Sequence, residues 1–313
     1  RNVYGDSIIY ARELGASQVV FDLSFLDPSN RSADPDYIEN ELPGYLDMQF
    51  NQINDNVNSI IDAFASSMFG ESDAEDVKEM FAESNEDVKG QIKTSVSYVV
   101  TDNDAYLGNC LKMFDYSYLT LDFENTSEKE LLDKKEKIES GEKKSNMDYY
   151  YLANNIALKN IDASQDTKTP EFNNMIPALD TLLKQAKSAG FVNSDPDADG
   201  IRRRIHLLYK YDGIYYGQLS FVPLLDRFGN PEIVVTDKAI TLKNAKISDT
   251  VTKDIVIPRC EDGSVLIKFP KKKFLEYKTT GFWNFYQMKG LEKTLLVNLQ
   301  QCYDNDLFSL MET

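Results

Sequence analysis

The stretch Gly190-Phe-Val-Asn-Ser-Asp-Pro-Asp-Ala-Asp-Gly-Ile-Arg-Arg-Arg-Ile-His-Leu-Leu-Tyr209 runs from a short apolar segment into an acidic Pro/Gly turn and out again into alternating residues. Ile201, Arg203, Ile205, Leu207 and Tyr209 fall on one side of the outgoing segment, and Arg202, Arg204, His206 and Leu208 on the other. That is the pattern of strand, turn, strand. Three arginines entering a strand that later becomes apolar cannot all lie on a core face, because each buried guanidinium needs a carboxylate or several carbonyls to offset its desolvation. At least one is expected to meet an acid from elsewhere in the chain. Asp22, the one acid attached to an apolar strand, is the expected partner of Arg203 or Arg204.

Upstream, residues 176–189 set Leu179, Leu182, Leu183 and Ala186 along one helical face, with Gly190 closing the helix. At the amino end, residues 4–14 read as a helix stopped by Gly15, and residues 18–24 as a β-branched, aromatic strand covered on both faces. Helix, glycine and buried strand are the grammar of an α/β fold. Residues 26–43 form a proline-rich loop at the carboxyl end of that strand, where open α/β sheets hold ligands. Leu46, Phe50, Ile53, Val57, Ile60 and Phe64 recur at alternating spacings of four and three, the seam of a long helix. After a polar break, Val77, Met80, Phe81, Val88, Ile92 and Val96 predict a second helix, so residues 45–100 are expected to form an antiparallel hairpin. A helix over 104–114 and a strand over 116–122 follow, then a Lys/Glu-rich solvated helix with a mobile end at Gly141. Tyr211-Asp-Gly213 is a hairpin turn, short β runs continue to Phe269, and residues 281–301 are helical.

These segments carry a resemblance. Gly190-Phe-Val-Asn193, Asp195-Pro-Asp-Ala-Asp-Gly200 and Arg203-Arg204 are similar to the signature of CHASE2 domains, the extracytoplasmic sensor modules of bacterial transmembrane receptors. Tyr10-Ala11, Leu14-Gly-Ala16, Val19-Val-Phe-Asp-Leu-Ser-Phe25 and Asp27-Pro28 resemble the family's early helix, strand and loop. Further matches follow in order at Asp104 to Leu121, Gly217-Gln-Leu-Ser-Phe221 and Asp262-Gly-Ser-Val-Leu-Ile-Lys-Phe269. The resemblance implies one sensor domain over residues 1–313, a mixed β-sheet flanked by helices, with the 45–100 hairpin inserted. It implies a non-catalytic ligand-sensing role at the periplasmic face of the cytoplasmic membrane, regulating a cyclase or kinase. Membrane helices outside this segment would tether it, which makes Arg1 and Thr313 cut points. Asp22, Asp27, Arg203 and Arg204 are the expected polar cluster, binding an unknown small molecule or holding structure. A sheet short of the family's outer strands is expected to dimerise through its edges or to be covered by the tail.

Composition narrows the alternatives. A formal charge of −17 opposes a nucleic-acid or anionic-lipid partner, and no apolar run is long enough to span a bilayer. No signal peptide heads the sequence. Three cysteines, at 110, 260 and 302, fit neither a disulfide framework nor a metal site. There is one histidine and no nucleophile elbow, P-loop or dinucleotide fingerprint, so the common hydrolase and nucleotide sites have no footing. Asp22 follows its strand as a phosphatase nucleophile would, but Ser24 stands where the general acid is needed. Asp195, Asp197, Asp199 and Gly200 match the first half of a calcium loop, while His206 replaces the closing bidentate glutamate. Calcium is thus the one cofactor with any sequence support, and a turn using Asp for backbone hydrogen bonds is the competing account. The other class of function is a protein-interaction module without a small ligand, with Met68-Phe69 and Met80-Phe81 at the hairpin tip supplying a homodimer contact.

Overall fold

The computed structural model describes residues 1–35, 37–139, 149–273 and 276–308. The chain divides into two compact units, one made of Arg1–Pro28 with Asp104–Thr313 and the other of Ser29–Asn103. In the first, the strand Ser117–Glu124 is the centre, with Tyr118, Leu119 and Leu121 fully buried. The helix Asn103–Phe114 delivers the chain to it through Asp115, whose φ of 74° reverses direction, and Leu107, Leu111 and Phe114 pack beneath. At roughly 1.5–3 kcal/mol per large side chain withdrawn from water, this cluster is the main source of stability. One edge of the central strand takes Ser188–Phe191 in parallel, from Tyr118↔Ser188 to Leu121↔Phe191. The other takes Val19–Val20 in parallel and Asn174–Pro177 antiparallel. Helices and mixed sheets together make the α/β architecture.

Two segments of the first unit depart from expectation, and in the second the loop expected over 26–43 holds the strand Ser32–Ala33, the π-helical turn Tyr37–Glu41 and the start of a long helix. The strand expected over 18–24 is only Val19–Val20, and Val20 is exposed; the chain then turns inward so that Phe21 and Phe25 pack on Tyr4, ring centroids 5.9 Å apart in each case. Residues 176–189 are not one helix but the end of the strand Asn174–Pro177, a single turn Asp180–Leu183, and the start of Ser188–Phe191. Pro177 has no N–H to give a helix, and from Lys187 onward the sheet captures the backbone, Lys187 N donating to Ser117 O at 2.9 Å.

A second sheet orders Thr252–Pro258, Ala239–Lys246, Glu232–Thr236 and Ile161–Gln165, the last pair parallel. A third pairs Glu171–Phe172 with the hairpin Leu208–Tyr211 and Ile214–Gly217, whose turn residues Asp212 and Gly213 have φ of 51° and 69°, as a two-residue hairpin loop requires. Phe123, Phe172, Phe191, Tyr209 and Tyr216 interlock between this hairpin and the central strand. The carboxyl-terminal helix Phe282–Asp304 packs on the first helix, Asn2–Glu13, through Phe282 on Tyr4 and Phe285 on Tyr10, with Lys289 Nζ 3.1 Å from Glu13. The helix Glu128–Glu139 covers the start of the Lys/Glu-rich segment; Gly141 lies outside the described residues. All three cysteines are free, and among the described residues no helix is long and apolar enough to cross a membrane.

The second unit is built on the helices Leu42–Ala65 and Ala74–Ser97. Asn56 Nδ2 donates to Ser84 Oγ at 2.7 Å, and at the far end Ser32–Ala33 pairs antiparallel with Val100–Thr101, so the two helices run in opposite directions. Val77 and Val88 of the second helix are buried.

Candidate functional site

The parallel strands Val19–Val20, Ser117–Glu124 and Ser188–Phe191 all end on one side, and that side carries Asp22, Ser24, Asp122 and the start of the acidic turn. Ser24 Oγ donates to Asp122 at 3.3 Å. Burial raises the Asp122 pKa, and the neighbouring Asp22 and Glu124 charges push it the same way. After Phe191 the chain does not continue the ladder with its backbone alone. The Asn193 side chain accepts from Phe123 N at 2.9 Å and donates to Phe123 O at 2.8 Å, copying a strand partner while the main chain leaves the sheet.

What leaves is the turn. Gly200 N donates to Asp197 O at 2.8 Å, Asp197 N to Ile201 O at 3.0 Å, and Gly200 has a φ of 81° that a side chain would strain. Asp199 Oδ1 accepts from Ile201 N at 3.1 Å and the carboxylate is clasped by Arg203, whose Nη1 and Nη2 lie 2.9 and 2.8 Å away. Arg203 lowers the Asp199 pKa. Arg204 Nε lies 3.1 Å from Asp197 Oδ1 and its Nη1 3.6 Å from Asp262 Oδ2; the first contact is an ion pair without the alignment of a hydrogen bond.

The expected pairing of Asp22 with Arg203 or Arg204 is therefore corrected. The two arginine side chains keep 44% and 42% of their surface in solvent and find carboxylates in their own turn and at Asp262, so no strand acid is needed. Among the described residues Asp22 has neither as a partner. Asp27 contributes its carbonyl oxygen to Arg1, whose guanidinium also pairs with Asp104 and lies over the Phe25 ring at 5.1 Å. Among the described residues neither Asp22 nor Asp27 makes an ion pair with Arg203 or Arg204. Of Asp195, Asp197 and Asp199, the last two are engaged by guanidinium groups, and no described cluster of three or more His, Cys, Asp or Glu could hold a metal ion.

The short strand Arg204–Ile205 pairs with Val265–Leu266, which brings Asp262 and Ser264 alongside the turn. Between them is a pocket of about 120 Å³ lined by Asn193 to Asp197, Arg204 to His206, Tyr209, Asp262 and Ser264. Buried Tyr209 is stacked on Phe191 with ring centroids 4.0 Å apart, and burial, with Asp195 nearby, pushes its hydroxyl up to about 12. Burial alone would raise Asp262, but the Ser264 hydroxyl at 2.6 Å and its N–H hold the carboxylate below its usual range. His206 Nδ1 is buried and has no hydrogen-bond partner among the described residues. Burial lowers the His206 pKa and the Arg259 charge adds to this, against Asp262 and Asp195.

The sign of the resulting pH dependence follows. Above about 6.5 His206 is neutral folded and unfolded. As pH falls through that value the unfolded chain takes up the proton first, so the fold loses stability down to the lowered folded-state pKa. Urea unfolding should show this loss between neutral pH and the carboxylate range, and His206→Gln should flatten it; an unchanged slope would show that His206 is not buried neutral.

The CHASE2 domain model matches residues 1–302. The chain belongs to the CHASE2 domain family. CHASE2 domains are extracytoplasmic, non-catalytic sensor modules of receptors, and the resemblance carried by the 190–204 signature extends over nearly all of the chain. Comparison with curated proteins and with solved structures gives no match. In this CHASE2 domain the signature does two physical jobs: Gly190 and Asn193 fix how the chain leaves the sheet, and the Asp/Arg turn builds one wall of the pocket. Tyr209, Asp262 and Ser264 were not singled out as site residues from sequence. The Asp262-Gly-Ser264 turn ahead of a β run was the available signal, but only strand register places it opposite Arg204.

Proposed function

We infer that this CHASE2 domain senses a small polar molecule in the pocket at the carboxyl end of its parallel strands, and that occupancy regulates a cytoplasmic cyclase or kinase through flanking membrane helices. One observation carries the choice of site. The unpartnered, buried Nδ1 of His206 lines a pocket of opposed charges where α/β sheets ordinarily hold ligands. A ligand bound only by the folded state raises apparent stability, by about 2.7 kcal/mol at a hundredfold excess over Kd. A thermal-shift panel of small polar metabolites should therefore yield compounds whose shift disappears in Asp195→Asn and in His206→Ala. Shifts that survive both substitutions would move the ligand elsewhere.

A second role, homodimerisation through the helix pair, is favoured by what that pair leaves in water. Met68 is 74% exposed, and Ile61, Phe64 and Met80 are also exposed around the same end of the two helices. Apolar side chains grouped this way are adaptable contact surfaces. In this proposal residues 45–100 are an addition to a compact CHASE2 framework that brings two receptors together. Sedimentation should show a concentration-dependent dimer that Met68→Lys with Met80→Lys reduces to monomer; a monomer at all concentrations before substitution would end the idea.

A further inference from the structure

Within the Ser29–Asn103 unit, Tyr37, Tyr45 and Tyr98 line a pocket of about 530 Å³ together with Asp34, Glu41 and Ser95. The rings lie in different planes: Tyr37 and Tyr45 have centroids 6.4 Å apart at 30°, Tyr37 and Tyr98 6.1 Å apart at 74°. Local structure accounts for the grouping. Tyr37–Glu41 is a turn of π-helix that runs directly into the helix Leu42–Ala65, so Tyr37, Glu41 and Tyr45, spaced by four, project to one side. Single π-helical turns of this kind recur at functional sites. Tyr98, at the end of the antiparallel helix Ala74–Ser97, closes the group, and the Tyr37 hydroxyl donates to Ser95 O at 2.8 Å, tying the two helices together beside it.

The chemistry of this lining is one-sided. Three aromatic rings line it, the Glu41 carboxylate adds negative charge, and no lysine or arginine is among the lining residues. Tyr45 and Tyr98 are exposed, so a ligand from solvent can reach their rings. Ring faces within about 6 Å attract a cation, most strongly when it is alkylated and poorly hydrated, and a neighbouring carboxylate reinforces the attraction. An anion would meet the Glu41 carboxylate, and a neutral apolar ligand would gain nothing from it.

We propose that this tyrosine pocket binds an alkylated organic ammonium group, of the quaternary or tertiary amine class. It is separate in sequence and composition from the pocket around His206, which lies in the other unit, and its failure or success leaves that reading untouched.

The probe is choline, titrated into the whole chain by calorimetry, beside its neutral carbon isostere 3,3-dimethylbutan-1-ol. Choline is expected to bind and the isostere not. Tyr98→Leu and Tyr45→Leu should each weaken choline by about tenfold, Glu41→Gln by about threefold, and Tyr98→Phe, which keeps the ring, should bind as the parent does. Far-UV circular dichroism establishes that each variant is folded; because Tyr45 and Tyr98 are exposed, both leucine variants are expected to be. Phosphatidylcholine vesicles form a second arm. Cosedimentation lost in the Tyr98→Leu chain assigns the group to a lipid headgroup, whereas binding of free choline alone assigns it to a soluble cation, and both uphold the pocket. Absence of choline binding in both arms, equal binding of the isostere, or loss of binding in Tyr98→Phe overturns it.

Discussion

Arg259→Met should destabilise the fold by about 3 kcal/mol, the lower end of the range found when one member of a buried ion pair is removed, because Asp166 keeps a longer ion pair with Lys210 Nζ at 3.7 Å. Arg259 and Asp166 side chains retain only 1% and 0% of their surface in solvent, with Nη1 2.8 Å from Asp166 Oδ1. The pair is fully engaged. Arg259 also donates through Nε to Gly263 O, through Nη1 to Thr236 O and through Nη2 to Thr169 Oγ1. Asp166 accepts further from Tyr215 Oη at 2.9 Å and from the N–H groups of Lys168 and Thr169. Burial alone would raise the Asp166 pKa, but Thr169, Arg259 and Tyr215 together outweigh it and hold the carboxyl well below the usual range. A depressed folded-state value means that this stabilisation is complete above the unfolded carboxylate pKa near 3.9 and fades as pH falls toward the folded value. Urea unfolding of Arg259→Met at neutral pH measures the loss. The double variant Asp166→Leu, Arg259→Met should recover part of it, since it removes the under-compensated carboxylate but also takes that partner from Lys210. A single substitution within about 1 kcal/mol of the parent would mean that water reaches the pair.

The same rule was visible in the sequence but attached to the wrong arginine. Three consecutive arginines, 202–204, are the prominent ones in the sequence, yet they are the solvated ones. Arg259 is isolated between Pro258 and Cys260, and its carboxylate lies 93 residues earlier in a loop that looks only polar. Nothing local marks either residue. What joins them is the second sheet, where Ala239↔Pro258 pairing sets Arg259 beside the loop after Ile161–Gln165.

Elements with long, unbroken signals were legible: the helix Asn103–Phe114, the strand Ser117–Glu124, both long helices of the Ser29–Asn103 unit and the Asp212-Gly213 hairpin all stand near their expected positions. Residues 176–189 were not. Leu179, Leu182 and Leu183 satisfy helical spacing because they do form one turn, and Ala186 extends the pattern by chance into a segment already leading to a strand. Half of the pocket around His206 was legible for the same reason. Asp195, Asp197 and Arg204 sit within one turn, whereas Asp262 and Ser264 arrive through the two-residue pairing of Arg204–Ile205 with Val265–Leu266, a register that a single sequence does not carry.

Gly190 is where sequence and structure agree on the residue and differ on its reason, and it sets the second large effect. It does not end a helix; it lies inside Ser188–Phe191, flanked by buried Ala189 and Phe191. A Cβ there would fall 2.6 Å from Leu219 Cα and 2.7 Å from Leu219 N, and these are backbone atoms that no rotamer change can move aside. The approach is enforced from both sides: Leu219 N donates to Phe191 O at 2.8 Å, and Phe191 bridges Gln218 in parallel, so residues 218–219 serve as the next rung of the sheet. On the opposite edge the same strand is paired with the core strand through Thr120↔Gly190. Relief would require separating the chain at Leu219 from the sheet, which breaks that rung and disturbs buried Leu219 and Phe221. Overpacking of a core ordinarily costs about 1–3 kcal/mol, and a backbone clash held between two ladders belongs at or above the upper end. Gly190→Ala is thus expected to lose about 3 kcal/mol or more in urea unfolding. Because Asn193 and the acidic turn hang from the end of this strand, pocket binding should weaken even where the variant stays folded. A variant as stable as the parent would show that residues 218–219 can withdraw freely, and that the strand exit, not the glycine, fixes the pocket.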